Sequence, residues 1–138
     1  MSITPHKIFE LFTDGRRFYT KNLVPGKTPF DERKAFENES EYREFDPTRS
    51  KVAACIAKGV TNIGLRKSDV VLYLGVSHGY TASFISDMIG KDGLIFGVDP
   101  APRVVRDLIF LSYDRPNIVP LLCDANHPEE YINRICEP

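Results

Sequence analysis

Cysteine is scarce in this sequence. The 138 residues contain three, Cys55, Cys123 and Cys136, which are widely spaced and form no Cys-x-x-Cys pair. An odd number without paired spacing indicates neither a disulfide framework nor a zinc site. We therefore predict no metal site, and we expect the three thiols to be reduced and mostly buried.

Long apolar runs are also missing. No stretch approaches the roughly 18 uninterrupted apolar residues of a membrane-spanning helix, and residues 1–5 lack the basic and apolar regions of a signal peptide. The composition, 42% hydrophobic and 27% charged, is typical of a soluble globular protein of about one domain. We expect a cytoplasmic protein with no membrane partner.

An overall excess of positive charge is lacking, because the net charge is −1. This value argues against a protein that holds nucleic acid by its bulk field. The distribution is uneven, since residues 1–67 hold 13 Lys and Arg against 9 Asp and Glu, whereas residues 68–138 hold 5 against 10. The first half is the better candidate for contacting phosphates, although its net of +4 is also within ordinary surface variation.

The first 47 residues contain short apolar runs separated by turn dipeptides. Asp14-Gly15 and Pro25-Gly26 are such dipeptides, and Asp-Gly between apolar runs is typical of a hairpin. We predict a small antiparallel β domain over residues 1–47. After a break at residues 46–50, apolar residues recur at helical spacing, which predicts a helix of about four turns from Lys51; these are Val52, Ile56, Val60 and Ile63.

Strands and helices alternate in a second domain over residues 48–138. The continuous apolar run at residues 70–75 predicts a strand covered on both faces. An alternating β-α-β order indicates a parallel sheet with right-handed crossovers, the doubly wound α/β arrangement of nucleotide-binding folds. Further predicted strands are residues 93–99 and 117–123, and predicted helices are residues 80–89, 102–113 and 128–135.

Three successive strand ends carry polar or glycine features. The loop from Gly75 to Gly79 joins a strand to a helix, and glycine there allows close approach of a ligand to the backbone. Asp99 follows the next strand, 24 residues after Gly75, where a carboxylate can accept both ribose hydroxyls of a nucleoside. Asp124 follows the third strand, where an adenine amino group would be recognised. Each feature taken alone is also compatible with a purely structural turn or helix cap.

Several stretches of the chain resemble the fibrillarin family, especially its archaeal form. The similarity is densest at residues 72–75, 97–108 and 115–125, and two further stretches, residues 20–26 and 47–54, resemble other signatures of that family. The match covers roughly residues 16–135. It implies a small N-terminal antiparallel β domain followed by the first half of a Rossmann-like methyltransferase sheet.

The resemblance implies that the chain uses S-adenosylmethionine to methylate the 2′-hydroxyl of ribose in rRNA or tRNA. The partners that it implies are a box C/D guide RNA, its target RNA, a Nop-type scaffold protein and a kink-turn-binding protein. The location that it implies is cytoplasmic in an archaeon and nucleolar in a eukaryote. By position, the family's cofactor contacts fall on Gly75, Tyr80, Thr81, Asp99, Pro100, Asp124 and Ala125.

The glycine loop departs from the family pattern. His78 and Tyr80 stand where the family usually has small residues, and Asp99-Pro100 stands where it usually has an acid followed by Phe. Asp reaches less far than Glu, and Pro100 removes an aromatic ring that would stack on adenine. His78 in this loop is either a catalytic base or, as is commoner for a loop histidine, a solvent-facing side chain.

Lys51 is the candidate catalytic residue. In the resemblance it matches a lysine that precedes the first helix of the methyltransferase domain and faces the reacting ribose. A lysine there can orient the 2′-hydroxyl and stabilise negative charge that develops on its oxygen. The alternative is a surface lysine that begins an amphipathic helix.

The family's sequence continues beyond the point that matches Pro138, so we expect a fragment or a naturally truncated chain. With later strands absent, residues 70–74 should form a sheet edge that favours self-association, and methyl transfer should be absent. Two other functions stay open: a catalytically inactive ribonucleoprotein subunit and a nicotinamide-dependent oxidoreductase. The loop lacks a clean G-x-G-x-x-G, which argues against the oxidoreductase.

Overall fold

Two β-sheets organise the chain in the computed structural model, which describes residues 2–135. The first sheet is antiparallel, with the order β1-β2-β3-β5-β4. Its strands are β1 (Thr4–Pro5), β2 (Phe12–Thr13), β3 (Phe18–Lys21), β4 (Lys34–Glu37) and β5 (Ser40–Glu44). The second sheet is parallel, with the order β6-β7-β8. It consists of β6 (Val70–Leu74), β7 (Leu94–Asp99) and β8 (Ile118–Leu122), and the helices are α1 (Lys51–Ala57), α2 (Tyr80–Ile89) and α3 (Pro102–Asp114).

The predicted α/β fold class is confirmed, and its local signals act as expected. Asp14 closes the β2–β3 hairpin, because its Oδ1 accepts hydrogen bonds from the backbone N–H groups of Arg16 at 2.9 Å and Arg17 at 2.8 Å. These bonds stabilise the ionised carboxylate and lower the pKa of Asp14 to about 2. Proline begins α3 at Pro102, where its missing N–H leaves no bond unmade.

The prediction of a four-turn helix from Lys51 is wrong. Helix α1 has seven residues, from Lys51 to Ala57. Gly59 has a φ of +105°, and its N–H donates to the carbonyl of Ile56 at 3.0 Å. A left-handed glycine immediately after the last turn is a common helix terminator. Val60 and Ile63, which continue the apolar spacing, therefore lie in the loop after α1.

The helix predicted over residues 128–135 is also wrong. Two short 3-10 helices, Pro128–Glu130 and Ile132–Arg134, occupy this stretch. Tyr131 separates them with a φ of −127°, and its side chain is buried against the second sheet. Its hydroxyl donates to the carbonyl of Ala125 at 3.1 Å. Because the Tyr131 ring is buried between the two short helices, the stretch does not form one continuous helix.

The apolar run at residues 70–75 predicted that β6 would be covered on both faces, and this prediction is wrong. Leu72 is 42% exposed and Leu74 is 50% exposed, whereas Val71 and Tyr73 on the other face pack against the core. Within residues 2–135, β6 pairs with β7 alone. The strand is thus a half-covered edge of this sheet. The expected self-association through that edge stays a prediction.

Helix α2 lies between the two sheets. One side of the helix packs with α3 and the second sheet through Ala82, Ile85 and Ile89, and the other side packs against the first sheet through Phe84 and Met88. Every residue from Thr81 to Ile89 is buried. Because the same helix begins at the glycine loop, the first sheet supports the carboxyl edge of the second.

Two further expectations concern the burial of the cysteines and the lack of membrane-spanning helices. Cys123 is buried as expected and Cys55 is exposed, and Cys136 lies outside the described residues, so the expectation of mostly buried thiols stays a prediction. No helix in residues 2–135 is long and apolar enough to cross a membrane.

Candidate functional site

The glycine loop leaves β6 at the carboxyl edge of the parallel sheet. Gly75 has a φ of +74°, and a Cβ added there would meet no atom within 4 Å. Gly79, the N-cap of α2, has a φ of +97°, and a Cβ there would lie 2.7 Å from Leu111 Cδ2. Gly79 is therefore required by close packing of the loop on α3, whereas Gly75 borders open space.

Asp99 connects the glycine loop to the turn after β7. Its Oδ2 accepts a hydrogen bond from the N–H of Ser77 at 3.1 Å, and its Oδ1 accepts one from the N–H of Ala101 at 3.0 Å. The side chain is half-buried, and Pro100 beside it is exposed. A carboxylate has about four lone-pair positions, so these two bonds leave capacity for further donors.

Asp124 lies next to Asp99 at the end of β8. The N–H of Cys123 donates to the carbonyl of Asp99 at 3.2 Å, which brings the two strand ends together. Asp124 Oδ1 accepts from the N–H of Asn126 at 2.9 Å, and the residue is half-buried. Ala125 follows in the same turn. The structure thus brings Gly75, Asp99 and Asp124 to one edge, where the sequence placed them, and their binding of a cofactor stays a prediction.

The side chains of Tyr80 and Thr81 point toward the chain segment before α1. The Tyr80 hydroxyl accepts a hydrogen bond from the N–H of Asp46 at 2.9 Å, and burial raises the pKa of Tyr80. Thr81 Oγ1 donates to Ser50 Oγ at 2.8 Å. These side chains are already engaged within the protein. The first turn of α2 has no side-chain cap, so any ligand contact there would use its backbone N–H groups.

Two neighbouring cavities lie along this edge. One of about 280 Å³ is bordered by the glycine loop and the start of α2, together with Phe30 and Arg49 from the N-terminal part of the chain. Another of about 250 Å³ is lined by residues 47–51 and by Ala54, and it includes the exposed Lys51. Arg49 lines both cavities. Lys51, the predicted catalytic residue, lies in the second cavity, and Arg49 two residues before it lines the first cavity together with Ser77 and His78 of the glycine loop.

His78 pairs with helix α3. Its Nδ1 lies 2.8 Å from Asp107 Oδ2, and both side chains are about half exposed. This placement supports the reading of His78 as an exposed side chain, and it adds a partner that the sequence did not reveal. Within residues 2–135, no group of three or more His, Cys, Asp or Glu side chains is arranged to hold a metal ion.

A buried charged cluster joins the first sheet to α2, and sequence reasoning missed it. Asp87 is fully buried and accepts from Arg43 Nη1 at 2.8 Å and from Arg115 Nη1 at 2.6 Å. Arg43 Nε also donates to Glu32 at 2.7 Å. Thr20 Oγ1 donates to Asp87 at 2.7 Å. Two positive and two negative side chains are thus buried together with good hydrogen-bond geometry.

A weak signal for this cluster exists in the sequence of α2. Ser83, Ser86 and Asp87 fall at positions i, i+3 and i+4 of a helix whose other residues are mainly apolar. Such a polar stripe lies on one helix face. The pattern could have predicted a polar contact for that face, but not its partners, because Arg43 and Arg115 lie 44 and 28 residues away from Asp87.

The sequence model of the Fibrillarin family matches residues 4–137. The chain is 48% identical over 124 residues to the fibrillarin-like rRNA/tRNA 2′-O-methyltransferase of Aeropyrum pernix, which covers 90% of this chain and 53% of that protein. The chain thus spans about half the length of this curated relative.

Two solved structures are similar over most of the chain. Aeropyrum pernix fibrillarin in complex with natively bound S-adenosylmethionine has a TM-score of 0.91 and 44% identity, covering 96% of this chain and 60% of that one. A fibrillarin/Nop5p complex has a TM-score of 0.78 and 32% identity, covering 93% and 57%.

Proposed function

The chain belongs to the fibrillarin family, and from that premise we propose that it forms the cofactor-binding part of an S-adenosylmethionine-dependent RNA 2′-O-methyltransferase. The observation that carries this proposal is the convergence of Gly75, Asp99 and Asp124 at the carboxyl edge of the parallel sheet, which is where such folds bind ligands. The similar Aeropyrum pernix structure contains S-adenosylmethionine.

The residues at this edge fit a charged nucleoside cofactor. Gly75 borders open space, so the backbone is accessible to a ligand. Asp99 and Asp124 are half-buried carboxylates with unused acceptor capacity, which suits the ribose hydroxyls and the adenine amino group respectively. The uncapped N-terminus of α2 presents backbone N–H groups and the positive end of the helix dipole, which suit the carboxylate of the methionine part.

Pro100 and Ala125 flank this proposed nucleoside position. Each follows one of the two carboxylates directly in sequence. Pro100 is exposed, so its ring can offer an apolar contact but no aromatic stacking to adenine. We therefore expect these two residues to shape the position, while the carboxylates supply most of the polar recognition.

The chemistry proposed for this site depends mainly on positioning. When bound, the cofactor supplies a methyl group that its sulfonium already activates. The chain's own residues then bind the nucleoside and bring the ribose of the RNA within reach. Lys51 donates a hydrogen bond to the 2′-oxygen and stabilises the negative charge that develops on it. Its location in a cavity that shares Arg49 with the cavity at the glycine loop supports this role.

We further propose that rRNA or tRNA is the substrate and that a box C/D guide RNA selects the nucleotide. The name of the Aeropyrum pernix relative supports the substrate class. A Nop-type scaffold protein is the proposed protein partner, supported by the structural similarity to fibrillarin in the fibrillarin/Nop5p complex. A kink-turn-binding protein completes the proposed assembly.

Calorimetric titration of S-adenosylmethionine into Asp99→Ala tests the cofactor site. We expect affinity to fall by about 1–3 kcal/mol, because the ribose hydroxyls lose their acceptor. Asp92→Ala is the matched control, since Asp92 is an exposed carboxylate in the turn before β7, at the opposite edge of the sheet. Unchanged affinity in Asp99→Ala would exclude Asp99 from the site, and tighter binding of NAD than of S-adenosylmethionine would favour the oxidoreductase.

A further inference from the structure

The residues immediately before α1 dock on the first residues of α2. The guanidinium carbon of Arg49 lies 4.3 Å from the centre of the Tyr80 ring. In the next position, Ser50 Oγ accepts the hydrogen bond from Thr81 Oγ1 at 2.8 Å. Two consecutive residues of one segment thus contact two consecutive residues of the other, and Lys51 follows directly. The start of α2 therefore fixes the Arg49 guanidinium and the Ser50 side chain, and with them the backbone from which Lys51 extends.

Arg49 is exposed but held in place. Its Nη1 donates to the carbonyl of Phe30 at 3.1 Å, while its planar group lies over the Tyr80 ring. Tyr80 is itself fixed by the N–H of Asp46 and by an edge contact with Phe30 at 5.4 Å between ring centres. Among the residues that the structure describes, no carboxylate lies within 4.0 Å of the Arg49 guanidinium. Its remaining N–H donors are free for an external anion.

The surroundings of Arg49 differ on its two sides. On one side lies a cavity of about 150 Å³ that is lined by Asp31, Glu32, Glu44 and Asp46 together with Arg33, and its Glu32 pairs with Arg43. On the other side lies the cavity that contains Lys51 and lacks acidic residues. The first cavity has an excess of carboxylates over arginines, whereas Arg49 and Lys51 are the charged residues that line the second, so a phosphate is favoured on the Lys51 side.

We propose that Tyr80 is a positioning residue. It holds the Arg49 guanidinium at the rim between the cavity bordered by the glycine loop and the cavity that contains Lys51, and there Arg49 binds a phosphate of the RNA strand. This inference rests on the proposed function, because it assumes an RNA ribose beside Lys51. A stacked guanidinium keeps its in-plane N–H groups available, and its planar fork matches phosphate geometry. Tyr80 stands where the resemblance led us to expect a small residue, so the stacking is a feature of this chain.

Binding of a fluorescently labelled single-stranded RNA, followed by anisotropy over a series of salt concentrations, tests the role of Arg49. We expect Arg49→Gln to weaken binding about tenfold at low salt. The slope of log affinity against log salt should decrease in magnitude by about 0.7, the value for one lost phosphate contact on a single strand. Affinity for S-adenosylmethionine should be unchanged. Arg103→Gln is the matched control, because Arg103 is exposed at the start of α3.

Two substitutions of Tyr80 test the positioning role. Tyr80→Thr removes the ring, and we expect RNA affinity to fall about threefold, the scale of an exposed cation–π contact. Tyr80→Phe keeps the ring and loses the hydrogen bond to Asp46, so its RNA affinity should stay within about twofold of the original. Thermal unfolding of each variant shows whether it remains folded, and the salt slope should be nearly unchanged in both because Arg49 is retained.

Several results would overturn the inference. An unchanged salt slope in Arg49→Gln would mean that Arg49 contacts no phosphate. Weaker binding of S-adenosylmethionine with unchanged RNA binding would assign Arg49 to the cofactor's carboxylate instead. An equal loss of RNA affinity in Tyr80→Phe and Tyr80→Thr would show that the ring does not hold Arg49. Failure of the unsubstituted protein to bind either S-adenosylmethionine or RNA would contradict the proposed function itself.

Discussion

The junction between the first sheet and α2 and the carboxyl edge of the second sheet are both rich in polar side chains, but their burial differs. At the junction, Asp87 and Arg43 are fully buried, and no buried side-chain N or O atom in residues 2–135 lacks a hydrogen-bond partner. At the edge, Asp99 and Asp124 are half-buried and accept few bonds. Saturated buried charge indicates a structural role, whereas accessible carboxylates with spare acceptor capacity indicate a ligand site.

Helix α2 connects the two regions. Its first residues border the glycine loop, and Asp87 in its last turns is at the centre of the buried cluster. The first sheet therefore contributes to the candidate site indirectly, by holding the helix whose N-terminus the site uses. Substitutions at the junction should affect mainly folding, and substitutions at the edge should affect mainly binding.

The largest effect is expected from Asp87→Ala. The substitution leaves two buried guanidinium groups, Arg43 and Arg115, without their shared carboxylate. Removal of one partner from a buried ion pair costs about 3–5 kcal/mol of unfolding free energy. Urea denaturation followed by circular dichroism measures this change. Asp107→Ala, which breaks a half-exposed pair, should cost less than about 1 kcal/mol, and equal losses in the two variants would remove the distinction between buried and exposed charge.

The next effect separates the two glycines of the loop. Gly79→Ala should lower the unfolding free energy by about 2–3 kcal/mol, because its Cβ would overlap with Leu111 and its φ is positive. Gly75→Ala has the same backbone penalty but no overlap, so we expect about 1 kcal/mol. Denaturant unfolding of both variants checks the order. A larger loss for Gly75→Ala would mean that the packing on α3 is looser than described.

Sequence patterns predicted the parallel sheet and the carboxyl edge that carries the candidate site, because the interactions that determine both are local. The predicted helix over residues 80–89 coincides with α2, since a glycine turn precedes it and Gly90 follows it. Asp99 is placed by the end of its own strand. Where a predicted helix was wrong, the cause was a local backbone conformation or a tertiary contact. The left-handed conformation of Gly59 ended α1, and the burial of Tyr131 divided the last predicted helix.

The junction cluster shows the limit of such reasoning. Arg43 and Arg115 look like ordinary surface arginines in the sequence, and only the tertiary arrangement brings both to Asp87. The same holds for Tyr80, which the resemblance placed among the cofactor contacts and which the structure also engages with Asp46 and Arg49. A residue's position in a motif identifies its backbone location, but the direction of its side chain depends on neighbours that are distant in sequence.

The smallest effect concerns Asp14, a carboxylate near the surface that accepts hydrogen bonds from two backbone N–H groups and from the Tyr19 hydroxyl. The hydrogen bonds from Arg17 and Arg16 lower the pKa of Asp14 to about 2 from its usual 3.8. A pKa that is lower in the folded state stabilises the protein above about pH 4, and this stabilisation is lost as the pH falls through 2. Solvent screening keeps the contribution small, so we expect Asp14→Asn to cost about 0.5 kcal/mol at pH 6.

Urea denaturation of Asp14→Asn and the unsubstituted protein at pH 6, 4 and 3 tests this dependence. Asn keeps an acceptor oxygen for the turn but carries no charge and loses the oxygen that accepts from the Tyr19 hydroxyl, so the pH dependence of the difference, rather than its size, reports the ionised carboxylate. That difference should be largest at pH 6, begin to shrink near pH 4 as the unfolded-state carboxyl becomes protonated, and be clearly smaller at pH 3. A difference as large as that of Asp87→Ala would show that hydrogen bonding alone, without burial, determines the contribution of a carboxylate to stability. A difference that grows as the pH falls would contradict the lowered pKa of Asp14.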